Sequence, residues 1–497
     1  MKRLAIISFL SLSSLISQAP DAYALCDCDH LIATTEITVD GDALGVQPGD
    51  SVCLEPGARE ALRLANFNGS EGAIIEVRNC EGVAHIENEE RGYGITLDDS
   101  VHVRITGAGE PDIPYGIYVR AARTGPDYAA MGVAISGYNH DIEVDHLEVV
   151  DAGFAGFMVK SDPTCDNPDL SSHTQYNIEL HHNYIRTPGG EGFYLGSTGY
   201  PSRTRTCDGT DIELYPHWHE GLHVHHNIVE DSAWDGLQVG VTPVDCSIHH
   251  NTIINPGLEE VQYQTRGFQF GALSSCDVHG NVLVGGTTIG IFILGAGDMR
   301  VYNNVIADFA EDAIYANQSE AAPQGTTYAF AHNTIVRPGG YGIQVFGGDL
   351  GPSVAINNIV AEAGEIAIGA GNNVAWTESS NLTDLAVAEL GFEDPDNGDY
   401  RLRADSIAVD SGSDASGYGV EVDADGVARD SAPDIGAFEY TDEPRPEPGV
   451  DPPPTGSTSG CCNSAGAGSR SGGLAALWLA GLVIGGLRRR FRPTRSR

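Results

Sequence analysis

His226-Asn227-Ile228-Val229, His250-Asn251-Thr252-Ile253, Gly280-Asn281-Val282-Leu283, Asn303-Asn304-Val305-Ile306, His332-Asn333-Thr334-Ile335 and Asn357-Asn358-Ile359-Val360 are near-copies of one phrase. An earlier copy stands at His182-Asn183-Tyr184-Ile185. After a polar or Gly-containing turn, each is followed by a second phrase of the form x-Gly-apolar-x-apolar-Gly. Examples are Glu191-Gly192-Phe193-Tyr194-Leu195-Gly196, Asp235-Gly236-Leu237-Gln238-Val239-Gly240 and Arg266-Gly267-Phe268-Gln269-Phe270-Gly271. From Asn227 onward the Asn-to-Asn spacing is about 23 to 30 residues, the period of a stacked repeat.

Within each phrase the apolar residues alternate as in a half-buried strand, and no amphipathic helix of similar length interrupts them. Several short strands per period read as one coil of a parallel β-helix, a single-stranded solenoid of the all-β class. The Asn column is read as structural, its amides bonding along the stack. The recurrent His181, His182, His225, His226, His249 and His250 fall at one turn, where stacking is a plainer account than metal binding. His217-Trp218-His219-Glu220 is the better ligand candidate.

Working outward, Met1-Lys2-Arg3 and the apolar run after it, ending in Ala22-Tyr23-Ala24, form an export signal (residues 1–24) cut after Ala24. Residues 25–110 read as an N-terminal cap and first coils. Cys26, Cys28, Cys53 and Cys80 lie there, in an oxidising setting where paired thiols are expected. The solenoid proper is placed at 111–380, a closing module at 381–440, and a Pro/Gly/acidic linker at 441–460. Residues 461–497 hold Cys461-Cys462, a short apolar run and an Arg-rich tail. The formal charge is −42. Such a field repels nucleic acid and anionic lipid, so nucleic-acid binding is set aside and membrane contact is confined to the C-terminal anchor.

Two long excursions, Ser161 to Tyr176 and Ser197 to Gly221, follow the same strand in consecutive coils. They should emerge side by side, which predicts a Cys165–Cys207 disulfide. Cys246 and Cys276 should stack about one strand spacing apart, ~4.8 Å. Parallel side-chain vectors fit a disulfide poorly, which favours buried thiols there.

Aligning the second phrases puts Tyr194, Gln238 and Gln269 on the outside of successive strands. Glu191, Asp235 and Arg266 stack just before the strand, and Lys160 ends it one coil earlier. The set forms one polar patch beneath the excursions, which supply Arg203, Arg205 and Trp218 as further substrate contacts. An ion-pair ladder on the surface is the plainer account of Glu191, Asp235 and Arg266, and simple solvation that of Lys160.

The Asn phrases and Gly-flanked strands over roughly residues 60 to 380 resemble the right-handed parallel β-helix family of pectate lyases, polygalacturonases, alginate and chondroitin lyases and mannuronan epimerases. The phrases from Asn381-Leu382-Thr383 to Asp434-Ile435-Gly436-Ala437-Phe438-Glu439-Tyr440 resemble the choice-of-anchor Q closing module. Cys461-Cys462, the apolar run and Arg488-Arg489-Arg490 resemble a myxobacterial C-terminal sorting signal. Together these resemblances imply a monomeric protein displayed at the cell surface that binds or degrades a polysaccharide or envelope glycan. Lyase chemistry on a uronic acid needs a base, for which Lys160 or Arg266 is the candidate. It also needs a cation on the carboxylate, for which calcium held by Asp162, Asp166, Glu191 or Asp235 is the candidate. Glu191 and Asp235, one coil apart, equally fit a glycosidase. A non-catalytic adhesin or envelope spacer is the third reading, and the acidic charge speaks for it.

Overall fold

The computed structural model describes residues 27–122, 130–200, 203–318, 322–371 and 374–445. The export signal with Ala24, most of the linker, Cys461, Cys462 and the apolar tail lie outside the described residues. Among the described residues no helix is long and apolar enough to cross a membrane.

Each coil gives one strand to each of three parallel sheets, of thirteen, twelve and twelve strands. In one coil these are Thr174–His181 (sheet 1), Tyr184–Arg186 (sheet 2) and Phe193–Leu195 (sheet 3). The next coil repeats them as Trp218–His225, Ile228–Glu230 and Leu237–Val239. Alternation sends every second side chain inward, so Phe157, Phe193, Leu237, Phe268 and Ile291 stack in register behind sheet 3, fully buried. Gly236, in the second phrase, has no room for a side chain. A Cβ there would meet Ile253 Cγ2 at 2.5 Å and Gly267 O at 2.7 Å.

The first phrase makes the turn from sheet 1 to sheet 2. Its first residue takes a left-handed backbone: φ is 53° at His182 and His226, 52° at His250, 55° at Asn303 and 57° at Asn357. His and Asn are among the few non-Gly types tolerated there. Asn follows, buried, and its amide is satisfied in one repeated way. Asn281 Oδ1 accepts from the N–H (2.9 Å) and Nδ2 (3.1 Å) of Asn251. Asn281 Nδ2 donates to Ile248 O (2.8 Å) and to Asn304 Oδ1 (2.9 Å). The same pattern runs without a break from Asn183 to Asn381.

Beside this ladder stand two columns of imidazoles. His181, His225, His249 and His279 stack face to face at 4.7–4.9 Å, and His146, His182, His226 and His250 at 4.9–5.2 Å. Within a coil the columns are joined Nδ1 to Nδ1, at 2.8 Å for His181–His182 and 2.9 Å for His225–His226 and His249–His250. One nitrogen of each pair must donate and the other accept, so both rings of a pair cannot be charged. Burial, followed by the neighbouring imidazoles, pushes His182 down to about 4 and His226 and His279 to about 3. The expected stacking is what the structure shows.

Cys28 bonds Cys53, and Cys80 is also disulfide-bonded. The excursion disulfide Cys165–Cys207 is present, with Cα atoms 5.6 Å apart. The expectation for Cys246 and Cys276 is corrected. They form a disulfide between adjacent sheet 1 strands, Cα–Cα 4.5 Å, because in-register pairing brings the two backbones within bridging distance. The segment after Asn381 lies along the flank of the last coils. Val305, Ala307, Val336, Ile359 and Ala361 form an apolar outer face on sheet 2 that is buried under Val387, Leu390, Phe392, Tyr400, Leu402, Ile435 and Ala437. Asp423 Oδ1 accepts from the N–H groups of Asp425 and Val427, and Arg445 pairs with Asp423 and Asp425, so this is an Asp-capped turn.

Two outcomes are expected. Asn281→Ala removes four buried hydrogen bonds and leaves their partners unsatisfied, so it should lower stability by roughly 3–5 kcal/mol in urea unfolding. His226→Asn keeps a residue type already found in that left-handed column. Imidazoles held below their unfolded value of about 6.5 stabilise fully above that pH, and the contribution is lost as pH falls through about 4 and 3. The loss of stability between pH 7 and 4 should therefore be shallower in His226→Asn than in wild type, read by melting temperature.

Candidate active site

Turn lengths decide where a site can form. Among coils carrying the ladder Asn, the turn from sheet 1 to sheet 2 is always two residues. The turn from sheet 2 to sheet 3 is six residues in its other occurrences from Val150 onward, but thirteen after Ile254. The turn from sheet 3 back to sheet 1 varies, reaching thirteen after Lys160 and twenty-two after Leu195. Long turns thus border the outer face of sheet 3 on both sides. Its outward column runs Met158, Tyr194, Gln238, Gln269, Phe292.

The stack just before the strand is present as the sequence predicted. Glu191 O receives the N–H of Gly156, Asp235 O that of Gly192, and Arg266 O that of Gly236. The side chains do not, however, form a surface ion-pair ladder. Glu191 is 1% exposed, Asp235 0% and Arg266 7%. The cover is Gln264, on the thirteen-residue turn. Its amide nitrogen lies 3.1 Å from Asp235 Oδ2, 3.2 Å from Glu191 Oε1 and 3.1 Å from Gln238 Oε1. Because Gln238 Oε1 can only accept, the atom facing it is the nitrogen. From the other side Thr198 Oγ1 receives Gln238 Nε2 at 3.0 Å. The two borders therefore meet over Gln238, which is 2% exposed.

Taking two carboxyls out of water on adjacent coils favours their protonated forms. Burial raises Glu191 to about 7 against the partial pull of Lys160. Burial raises Asp235 to about 8, the nearby Glu191 charge adding to it and Arg266 only partly offsetting it. Asp235 Oδ1 accepts from the Arg266 N–H at 2.7 Å, whereas Glu191 Oε2 has no hydrogen-bond partner. The Arg266 guanidinium rests on the Phe292 ring, 4.6 Å from its centroid, with Nε and Nη1 unpartnered. Burial lowers its pKa. Lys160 Nζ stands 5.1 Å over the Tyr194 ring and 3.1 Å from Asp162 Oδ1.

Glu191, Asp235, Arg266, Gln238 and Gln269 are thus brought together, with Tyr194 and Lys160 alongside. Arg203 and Arg205 point to solvent from a hairpin, Arg203–Cys207 paired with Thr210–Leu214. Trp218 opens a strand of sheet 1 and so lies off the sheet 3 face. Asp162 is engaged by Lys160, and Asp166 is exposed on the same excursion. The tight acidic group among the described residues is Glu143, Asp145 and His181, and Arg104 already bonds both carboxylates there. Gln264 was not anticipated. Its signal was the 30-residue step from Asn251 to Asn281, against 24 and 23 on either side.

A family profile described as right handed beta helix region matches residues 212–383. The fold is a right-handed parallel β-helix. No curated protein matches the chain. Among solved structures, it is similar to a GH136 lacto-N-biosidase from Eubacterium ramulus, with TM-score 0.45 and 12% identity over 71% of this chain and 67% of that one. It is also similar to the pectate lyase Pel9A, with TM-score 0.43 and 13% identity over 83% and 97%. A third is an alginate lyase from Paenibacillus sp. str. FPU-7, with TM-score 0.36 and 15% identity over 71% and 99%.

The raised carboxyls have a stability consequence. A proton held more tightly in the folded state than in the unfolded one stabilises fully below the ordinary carboxylate range near 4. That contribution is lost as pH rises through about 7 and 8. Asp235→Asn keeps an acceptor for the Arg266 N–H and cannot ionise. It should melt higher than wild type at pH 8.5, by the equivalent of a few kcal/mol, about one per unit of pKa displacement, with the gap narrowing as pH falls and closing near pH 4.

Proposed function

We propose that this chain is an exported protein, displayed at the cell surface, that binds and cleaves a polysaccharide along the outer face of sheet 3. The observation that carries the reading is the Glu191–Asp235 pair: two buried carboxyls on adjacent coils, under one amide, with burial raising Glu191 to about 7 and Asp235 to about 8. Glycosidic cleavage needs one carboxyl that still holds a proton to give to the leaving oxygen and a second that acts as nucleophile or base. Glu191, with a free Oε2 and Lys160 nearby, is suited to ionise first, and Asp235 to remain the acid. Adjacent coils separate the two backbones by about one strand spacing, ~4.8 Å, which suits the closer spacing of a retaining mechanism. Tyr194, Gln238 and Gln269 supply the stacking and amide contacts expected for a sugar chain. Access requires Gln264 to swing aside. Export is supported by the basic start, the apolar run and Ala22-Tyr23-Ala24, and by disulfides that persist in oxidising compartments.

The burial of both carboxyls also favours a second reading, a non-catalytic glycan-binding surface protein in which the pair is only a structural element. A panel of neutral and acidic polysaccharides separates the two, assayed for reducing ends and for ultraviolet-absorbing unsaturated products, with and without calcium. Reducing ends without unsaturated products, falling about 100-fold or more in Glu191→Gln and Asp235→Asn, are expected. Unsaturated products that need calcium would establish a lyase instead. Retention on a glycan column with no product from any substrate would establish the binding protein.

A further inference from the structure

The two long excursions bring together a second chemical group, apart from the carboxyl pair. Ser161 directly follows the sheet 3 strand Phe157–Lys160, and His217 directly precedes the sheet 1 strand Trp218–His225, two coils further on. Ser161 Oγ lies 2.9 Å from His217 Nδ1. The far nitrogen, His217 Nε2, lies 3.0 Å from the backbone carbonyl oxygen of Asn167. A carbonyl only accepts, so Nε2 donates to it, and in that tautomer Nδ1 is the acceptor for the serine hydroxyl. The hydroxyl is aligned on an imidazole that a third group orients, which is the arrangement that activates a serine nucleophile.

The surroundings go beyond what a bond between two loops requires. Ser161 and His217 line a cavity of about 300 Å³ together with Lys160, Tyr138, Met158 and Thr164. His217 is 4% exposed, so its ring is shielded while the serine is half-exposed. The Tyr138 hydroxyl accepts from Asn167 Nδ2 at 2.6 Å, which leaves its own proton available to an oxygen in the cavity. The Lys160 ammonium lines the same space as a second donor for a developing oxyanion. The pair is also pre-positioned. The Cys165–Cys207 disulfide and the Tyr215 N–H to Pro168 O bond (2.8 Å) clamp the serine loop to the loop that leads into His217.

We propose that Ser161 and His217 form a nucleophile–base pair that hydrolyses short-chain carboxylic esters. Ser161 Oγ forms a bond to the ester carbonyl carbon as its proton passes to His217 Nδ1. Collapse of the tetrahedral adduct breaks the bond to the alcohol oxygen, which leaves with the proton from Nδ1. Water then adds to the acyl-serine with Nδ1 taking its proton, and the carboxylic acid departs as Ser161 regains its hydrogen. The cavity, about 300 Å³ and partly apolar, has room for a small ester at the serine. The reaction needs neither Glu191 nor Asp235, so it stands apart from the glycan reading.

The test uses the full chain, p-nitrophenyl acetate and a fluorophosphonate probe. A single covalent adduct mapped by peptide mass spectrometry to Ser161 is expected. Hydrolysis of p-nitrophenyl acetate should fall about 100-fold or more in Ser161→Ala, whose melting temperature stays near that of wild type. Reduction of Cys165–Cys207 should lower turnover as the two loops separate. The proposal is overturned if the wild-type chain takes no adduct at Ser161, or if wild type and Ser161→Ala turn over the ester at the same rate. The labelling arm needs no variant, so a folding defect in Ser161→Ala would not protect the idea.

Discussion

The Asn ladder is the constraint from which the other features follow. Each rung is a buried amide whose donors and acceptor are met only if the next coil stacks in register, because its partners are the neighbouring Asn and a backbone carbonyl one coil back. An unmet amide in that position would cost about as much as several surface interactions together contribute. Register is therefore enforced at one edge and transmitted to all three sheets. Once it is fixed, every residue lies about 4.8 Å from its counterpart in the next coil.

Such stacking suits some side chains and penalises others. Amides and neutral rings gain from it, which is why the Asn column and the two His columns persist over many coils. Like charges lose. The imidazoles escape this in part, because each Nδ1–Nδ1 contact shares a single proton, so both rings of a pair cannot be charged, and burial holds His182, His226 and His279 below their ordinary value. Glu191 and Asp235 escape in the opposite sense, by retaining their protons where a carboxyl would ordinarily be ionised. The repeat that gives the protein its rigidity thus also perturbs the groups best placed for proton chemistry, and both perturbations have burial as their largest cause.

Much of this was legible in the residues themselves. A period of one Asn per coil and period-two alternation specify the solenoid, and two excursions after the same strand specify Cys165–Cys207. Columns such as Tyr194, Gln238 and Gln269 follow from register alone. What pattern could not supply was depth. Glu191, Asp235 and Arg266 sit on a polar-looking column that would be exposed in a bare coil. Gln264 closes over Glu191 and Asp235 from one border while Thr198 reaches Gln238 from the other, contacts made by turn residues that the repeat pattern does not specify. The Cys246–Cys276 bond was missed for a related reason, since an idealised strand gives parallel side-chain vectors while the actual Cα–Cα distance is only 4.5 Å. The Ser161–His217 pair joins two irregular loops, where no periodicity reports on contact.

The same ladder explains why the chemistry gathers on sheet 3. The turn holding the left-handed residue and the Asn cannot lengthen without breaking a rung, and it stays at two residues wherever the ladder runs. In the coils before the ladder begins the same turn varies, from one residue between Asp145 and Leu147 to ten between Thr106 and Ile117. Insertions are thereby confined to the other two turns, and sheet 3 is the sheet that both of them border. Sheet 2 is excluded on separate grounds, since its outer face in the last coils is apolar and buried under the segment after Val387. A face walled on both sides by tolerated insertions, above strands that cannot slip, is where loops can hold polar groups in fixed relation. Glu191, Asp235 and Gln264 lie toward one border of that face, and Lys160, Ser161 and His217 toward the other.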